Sequence, residues 1–468
     1  MTHRGSRTVH VGGISRVEGE GALHLRVDQG HVTEARLRIY EPPRFFEAFL
    51  RGRAHTEPPD ITSRVCGICP VAYQLSACRA VEDACGVTVT GPLTDLRRLL
   101  YCGEWIESQT LHIYLLHAPD FLGHPDAITM ARRHRADVER GLRIKQAGNA
   151  VVELLGGRAI HPVNVRLGGF HRTPTRAELK PLAERLRRAR EDALHTVEWA
   201  AGFDFPDAGC DAQLLALAEP GRYAIEGGTP TVMQAPTSAG LPPDSTRALP
   251  TRTFPLRDFE HHVVERPEPH STALYSSLDG HLHLTGSLAR YAVSGRWLSP
   301  LALQAAHAAG LGDPRAGDVC RNPFRSILVR AVEVVYALDE ALRLIDAYEP
   351  PPAPAVPVPP RAGTGRGATE APRGLLYHRY TLTADGTITD AALVPPTAQN
   401  QDAIEDHLRT VVQSRLDSTR GLTDLDDAQL RALCERAIRN HDPCISCSAH
   451  FLDLTVERLG VEDPVRHR

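Results

Sequence analysis

Two short cysteine pairs, Cys66-Gly-Ile-Cys69 and Cys444-Ile-Ser-Cys447, constrain this chain more than any other feature. A C-x-x-C spacing puts both sulfurs on one side of a tight turn or helix start, where two thiolates can converge on one metal. Backbone N–H groups at such a start, together with the metal, lower the thiol pKa and keep the ligands ionised. Four thiolates suit soft or borderline metals: zinc, an iron–sulfur cluster, or nickel with iron. Spacing alone points first to a structural zinc site and next to a cluster. Zinc ribbons and fingers close over short loops, however, whereas these pairs stand at opposite ends of 468 residues. A site joining them would be the centre of the whole fold. Spacing does not separate zinc from nickel.

Composition removes several classes. With 53 Lys+Arg against 57 Asp+Glu the formal charge is −4, which argues against a nucleic-acid stripe or a basic membrane-facing surface. No window approaches the roughly 18 uncharged apolar residues of a membrane span. The first residues lead into no apolar signal core, and ten cysteines are too sparse for a disulfide scaffold. A reducing cytoplasm is the expected compartment. The length allows about three domains, or one large body with excursions.

Periodicity suggests a mostly α protein with an N-terminal β region (α+β). Leu23, Leu25 and Val27 alternate, Asp28-Gln-Gly30 supplies turn chemistry, and Val32, Ala35, Leu37 and Ile39 answer as the second arm of a hairpin. From Thr94 to about Leu116 the period becomes 3.6, predicting a long helix. Further helices are expected over Ala127–Leu155, where Gly141 and Gly148 suggest close helix contact, and over Ala177–Ala201. Others are expected over Pro323–Tyr348, Gln401–Leu416 and Asp424–Arg439, the last capped by Thr423 or Asp424. The resulting division is 1–60 β-rich, 61–220 helical body, 221–320 loop-rich excursion and 321–348 core helix. A Pro/Gly-rich connector over 349–368 then leads to a C-terminal region, 369–450, and an extension, 451–468. Glu349 to Pro360 reads as a plain polyproline-type linker. Gly363-Thr-Gly365-Arg-Gly367 follows it rather than a strand, so a nucleotide loop is discounted. Cys78, Cys85, Cys102, Cys210, Cys320 and Cys434 lack paired spacing and read as small buried hydrophobes.

The two cysteine motifs closely resemble the nickel-binding signatures of the large, catalytic subunit of [NiFe]-hydrogenases. Ile14-Ser-Arg16-Val-Glu18-Gly19, Arg44-Phe-Phe-Glu47, Gly157-Arg158-Ala-Ile-His161-Pro162, Glu370-Ala-Pro372-Arg373-Gly374 and Val394-Pro-Pro396-Thr397 follow in the family's order, so the resemblance covers nearly the whole chain. It implies the large helical body of that family and reversible H2 oxidation. All four thiolates would bind nickel, Cys69 and Cys447 bridging to an iron that carries CO and cyanide, with Cys66 and Cys444 terminal. Cys444 would take the proton of H2 and Glu18 would relay it outward. Arg373 would sit over the metals, with Asp120 and Asp442 around it, and Pro372, Arg373, Pro396 and Thr397 would surround the cyanides. Glu47 and His450 would bind Mg2+ or a similar ion, with a backbone carbonyl near Ala392.

The resemblance also implies partners: an iron–sulfur small subunit, flavin/NAD(P) reductase subunits, and a maturation protease that cuts after His450. Many members carry a His four positions after the second cysteine, where this chain has Tyr73. That variant, with Asn440-His441 before Asp442, resembles the cytosolic, multimeric NAD(P)-linked group. Two alternatives stand beside this reading. One is a non-catalytic relative like the quinone-pocket subunit of respiratory complex I, which lacks the four-cysteine set; the other is a zinc-stapled scaffold protein.

Overall fold

A computed structural model describes residues 7–418 and 426–449. His450, the extension Phe451–Arg468 and the expected cap at Thr423 or Asp424 lie outside the described residues.

The N-terminal hairpin forms between β2 (Gly21–Asp28) and β3 (His31–Ile39), with β1 (Arg7–Val11) on the other side of β2. Gln29 (φ 48°) and Gly30 (φ 84°) make the two-residue turn between the Asp28–His31 pair, both left-handed as such hairpins require. Leu23, Leu25 and Val27 face inward and are at most 2% exposed.

The helical body follows. Its first helices are α1 (Phe46–Leu50), α2 (Pro58–Thr62), α3 (Pro70–Cys85), α4 (Pro92–Leu111), α5 (Ala118–Phe121), α6 (Ala127–Ala131), α7 (Arg135–Gly156) and α8 (Arg176–Ala201). Pro92 starts α4 slightly ahead of the expected Thr94, and the last expected turn is a π-helix, His112–His117. The Ala127–Leu155 helix is two helices. The polar run Arg132-Arg-His134 offers no apolar stripe to the core, so the chain turns at His134 once Met130 is buried. Gly148 does provide close contact: a Cβ there would stand 2.7 Å from the Glu107 amide of α4. The α4 helix is buried along nearly its whole length, charged residues included.

Between α7 and α8 lie the short β4 (Val165–Arg166) and β5 (Gly169–Phe170). The loop-rich excursion holds β6 (Gln213–Ala218), β7 (Thr229–Met233), β8 (Thr251–Thr253), α9 (Phe259–His262), β9 (Val263–Glu268), β10 (Ser271–Leu278), β11 (His283–Leu284), α10 (Ser287–Ser294) and α11 (Pro300–Ala308). One four-stranded sheet runs β11-β6-β7-β8. The core helix α12 spans Ser326–Asp346.

Two sequence expectations need correction. Glu349–Pro360 is extended but is no free linker: Phe170 donates its amide to the Pro354 carbonyl (2.8 Å) and Val356 to that of Gly168 (3.0 Å), while Val356 and Val358 pack on the core. The glycine-rich stretch placed in the connector is β12 (Gly363–Ala371), which pairs with β13 (Gly374–Leu382) and through it with β14 (Ile388–Val394). β structure is thus not confined to the N-terminus. The glycines let β12 lie directly on α3: a Cβ at Gly365 would stand 2.1 Å from both the Ala80 carbonyl oxygen and the Ala84 amide nitrogen. After β14 come α13 (Pro396–Ser418), α14 (Asp427–Arg439) and α15 (Ile445–Ser448). The α14 helix is capped by Asp426, whose side chain takes the Gln429 amide. Helices α13 and α14 cover the inner face of the β1–β3 sheet as a second core. Among the described residues no helix is long and apolar enough to cross a membrane.

Gly365→Ala must push α3 off β12, since both obstructing atoms are backbone. We expect a loss of about 3 kcal/mol, read as a lowered thermal midpoint, with Gly12→Ala, where a Cβ meets nothing within 4 Å, as the control. A Gly365→Ala protein as stable as wild type contradicts this packing.

Candidate metal centre

Each cysteine pair sits at a helix start. Cys69 is the N-cap of α3, followed by Pro70, and Cys444 is the N-cap of α15. The four sulfurs come together from the two ends of the chain: all lie within 4.8 Å of one another, with Cys66–Cys444 at 3.5 Å and Cys69–Cys447 at 3.4 Å. None is in a disulfide and all are buried. Hydrogen bonds from Cys444, Cys447 and Cys69 hold the Cys66 thiol well below the usual range. Burial pushes Cys444 well up, and Cys447 up to about 11. One negative charge is therefore accommodated by the cluster itself, but four would repel without a cation among them.

Neither helix start caps itself with a side chain. For α3 the cap comes from α4: the Glu104 carboxylate accepts the amides of Val71 (2.6 Å) and Ala72 (3.1 Å). For α15 it comes from Glu18, whose main chain bridges to Cys444. The Glu18 carbonyl accepts the Ile445 amide and its Oε2 accepts the Ser446 amide, both at 3.0 Å. Burial, then charge on Cys66, raises the Glu18 carboxyl above its ordinary pKa, while hydrogen bonds from Ser446 and Cys444 oppose the rise.

Arg373 stands near the thiols on a β-hairpin. Pro372 and Arg373 are the two loop residues of the β12–β13 hairpin, beyond its last pair Ala371–Gly374. Gly374 (φ 137°) is needed there, because a Cβ would stand 2.6 Å from Thr285 Cγ2. Arg373 Nη1 donates to Ser108 Oγ and Nη2 lies beside Asp442 Oδ1, both at 3.2 Å. Its buried Nε has no hydrogen-bond partner among the described residues. Burial works against its charge, but Asp442 and the thiols hold its pKa well above the ordinary value. Asp442 (φ 51°) also faces Arg330 (4.0 Å) and His112 (3.9 Å).

Asp120 departs from expectation. Its ion pairs are to Arg16 (2.5 Å) and Arg439 (2.7 Å), not Arg373. It clamps the first motif to the end of α14, since two guanidiniums satisfy both its oxygens. Pro396 and Thr397 open α13, and Thr397 Oγ1 accepts the Cys444 amide at 2.9 Å. The Tyr73 hydroxyl donates to the Cys447 carbonyl at 3.5 Å. Glu47 Oε1 accepts the amide of Leu393, next to Ala392, at 2.7 Å, and burial pushes this carboxyl up to about 7. Arg44 donates its amide to the carbonyl of Ala449, which brings the residue before His450 to the Glu47 segment.

Several residues around the centre escaped the sequence reading. Glu104, Ser108 and His112 recur every fourth position, one face of a helix, and that spacing of polar residues in an apolar helix was the available signal. His112 Nε2 is 2.9 Å from the Arg439 carbonyl, and His117 Nε2 is 2.9 Å from Asn440 Oδ1, tying the π-helix to the C-terminal motif. The six other cysteines are all buried and free of disulfides, as expected.

A family model described as nickel-dependent hydrogenase matches residues 44–142 and 327–450, which contain both pairs. The chain is 32% identical over 445 residues to sulfhydrogenase 1 subunit alpha of Pyrococcus furiosus, covering 94% of this chain and 97% of that one. It is 27% identical over 490 residues to the NAD-reducing hydrogenase HoxS subunit beta of Cupriavidus necator, covering 96% and 95%. The crystal structure of an NAD+-reducing [NiFe]-hydrogenase in the H2-reduced state superposes with a TM-score of 0.80 at 27% identity, covering 95% of this chain and 99% of that one. The chain belongs to the large-subunit family of nickel-dependent hydrogenases, oxidoreductases acting on H2. The complex I-like and zinc-scaffold alternatives are not favoured.

Proposed function

We propose that this chain is the catalytic subunit of a cytoplasmic [NiFe]-hydrogenase that exchanges electrons with NAD(P) through partner subunits. The observation that carries the reading is the cluster of four buried thiols flanked by Glu18 and Arg373. The donor set fits a nickel–iron centre: soft, mutually repelling when ionised, and close enough to the Arg373 guanidinium for their charges to interact. The buried Nε of that guanidinium has no partner among the described residues. Cys66, Cys69, Cys444 and Cys447 would hold nickel, with Cys69 and Cys447 shared with an iron bearing CO and cyanide. When bound, the centre supplies the redox-active metals at which H2 is separated into protons and electrons.

The chain's own groups then divide the work. The Cys444 sulfur takes a proton and hands it to Glu18, which hydrogen-bonds that thiol and whose raised pKa suits both accepting and releasing. Arg373 supplies fixed positive charge, and Asp442 orients it. Thr397 accepts from Cys444 through Oγ1, so its hydroxyl hydrogen is free to donate toward a cyanide; Pro372 and Pro396 would stand beside the same ligands. Glu47 and His450 would bind Mg2+ or a similar ion.

Among the described residues there is no second group of three or more metal-ligating side chains, so electrons would leave through an iron–sulfur small subunit and flavin-bearing reductase subunits. The name of the Cupriavidus relative, an NAD-reducing hydrogenase, supports this choice of acceptor.

Glu18→Gln keeps shape and removes the titratable group. We expect nickel to load normally while H2/D2O exchange fails; normal exchange would assign the relay to another residue. We also propose that a protease removes Phe451–Arg468, because Glu457, Glu462 and Asp463 would resist burial beside His450. Intact-mass analysis of active, nickel-loaded protein should give a chain ending at His450, and a mass ending at Arg468 would defeat the processing proposal.

A further inference from the structure

One guanidinium grips the hairpin that carries Arg373. Arg290, on α10, is fully buried. Its Nε and Nη2 donate to the two carboxylate oxygens of Glu333, on α12, at 2.7 and 2.8 Å. Its remaining hydrogens turn to the hairpin: Nη1 donates to the Ala371 carbonyl and Nη2 to the Pro372 carbonyl, both at 3.0 Å. Glu370 Oε2 lies 3.4 Å from Nη1. The guanidinium stands over the Trp105 ring at 4.6 Å, and Trp105 Nε1 donates to the Glu370 carbonyl at 2.8 Å. Glu333 is itself fixed by the Tyr223 hydroxyl at 2.7 Å.

Three consecutive residues before Arg373 are thus held by one side chain and the ring beneath it. The strand ladder pairs Glu370 with Leu375 and Ala371 with Gly374 but stops short of Pro372, whose carbonyl is held by Arg290. Carbonyls 371 and 372 set the direction in which the chain enters Arg373, and a small rotation there swings the guanidinium at the end of a long side chain. A planar fork that spans two carboxylate oxygens and two carbonyls is a task for arginine; an ammonium keeps the charge but not the geometry.

We infer that Arg290, oriented by Glu333, is a positioning residue that sets where Arg373 stands beside the four thiols. The inference rests on the reading of Arg373 as a group facing the bound metals. A double-mutant cycle separates the two. Wild type, Arg290→Lys, Arg373→Lys and the double variant are compared in the assembled, nickel-loaded complex for nickel content, kcat, KM for H2 and the nickel EPR spectrum.

We expect each single variant to load nickel and to lose about 10- to 100-fold in kcat, the scale of a misplacement near 1 Å. The EPR lines should move in the same direction in both. The double variant should be no worse than the more impaired single, because both changes act through one group. Losses that multiply in the double variant, or an Arg290→Lys enzyme with wild-type kcat and spectrum, overturn the inference while leaving Arg373 in its role. A wild-type Arg373→Lys enzyme strikes at the reading of Arg373 itself and takes the inference with it. Should Arg290→Lys fail to load nickel, Glu333→Gln enters the same cycle; loss of nickel from both means the pair holds the fold rather than Arg373, and overturns the inference.

Discussion

The backbone bridge between Glu18 and Cys444 brings the first motif and the C-terminal motif together at the centre. Cys444 and Cys447 come from the far end of the sequence, yet they stand within 4.8 Å of Cys66 and Cys69. The same short contact directs the first amides of α15 onto Glu18, so the residue that closes the site is also the one proposed to relay its protons. Asp120 reinforces the closure by pairing Arg16 of the first motif with Arg439 of α14. These contacts, with the core that α13 and α14 share with the N-terminal sheet, draw the helical body, that sheet and the C-terminal helices together around the cysteines.

Burial of charge is the second theme. Arg290–Glu333, Arg98 with Glu226 and Glu340, and Arg97–Glu82 are ion pairs in the interior, with side chains that are all under 10% exposed. Such pairs add little net stability over well-packed apolar residues, but losing one partner leaves an uncompensated charge that costs about 3–5 kcal/mol. Their value here is directional. Arg290–Glu333 joins α10 to α12, Arg98–Glu340 joins α4 to α12, Arg97–Glu82 joins α4 to α3, and Arg98–Glu226 ties α4 to the loop before β7. Arg373–Asp442 brings such a pair beside the thiols. Arg373, like Arg97, keeps a buried Nε without a partner among the described residues, and it differs in standing beside the thiols, whose charge helps hold its pKa up.

The cysteine pairs were legible from residue type and spacing, whereas Glu18, Glu47, Arg373 and Asp442 were singled out only by the resemblance of their motifs to the family's. The long helices were legible from their 3.6 period, and the hairpin from its alternation and its Gln29-Gly30 turn. The β12–β14 sheet was hidden for a physical reason: β13 is buried on both faces and does not alternate, while β12 uses glycines to approach α3 and so reads as a linker. The partners of Asp120 could not be read either, because ion pairs across 104 or 319 positions depend on how helices pack rather than on local pattern. Nothing in the local sequence marks Arg290, and only the every-fourth spacing with Ser108 and His112 marks Glu104; their burial and their partners single them out.

Quantifying metals in the purified protein, with wild type beside Cys444→Ser, tests the central claim most directly. The account expects about one nickel per wild-type chain together with iron, and loss of nickel from the serine variant, whose oxygen is too hard a donor for the site. Zinc alone in the wild type, or nickel retained in full by Cys444→Ser, would contradict it.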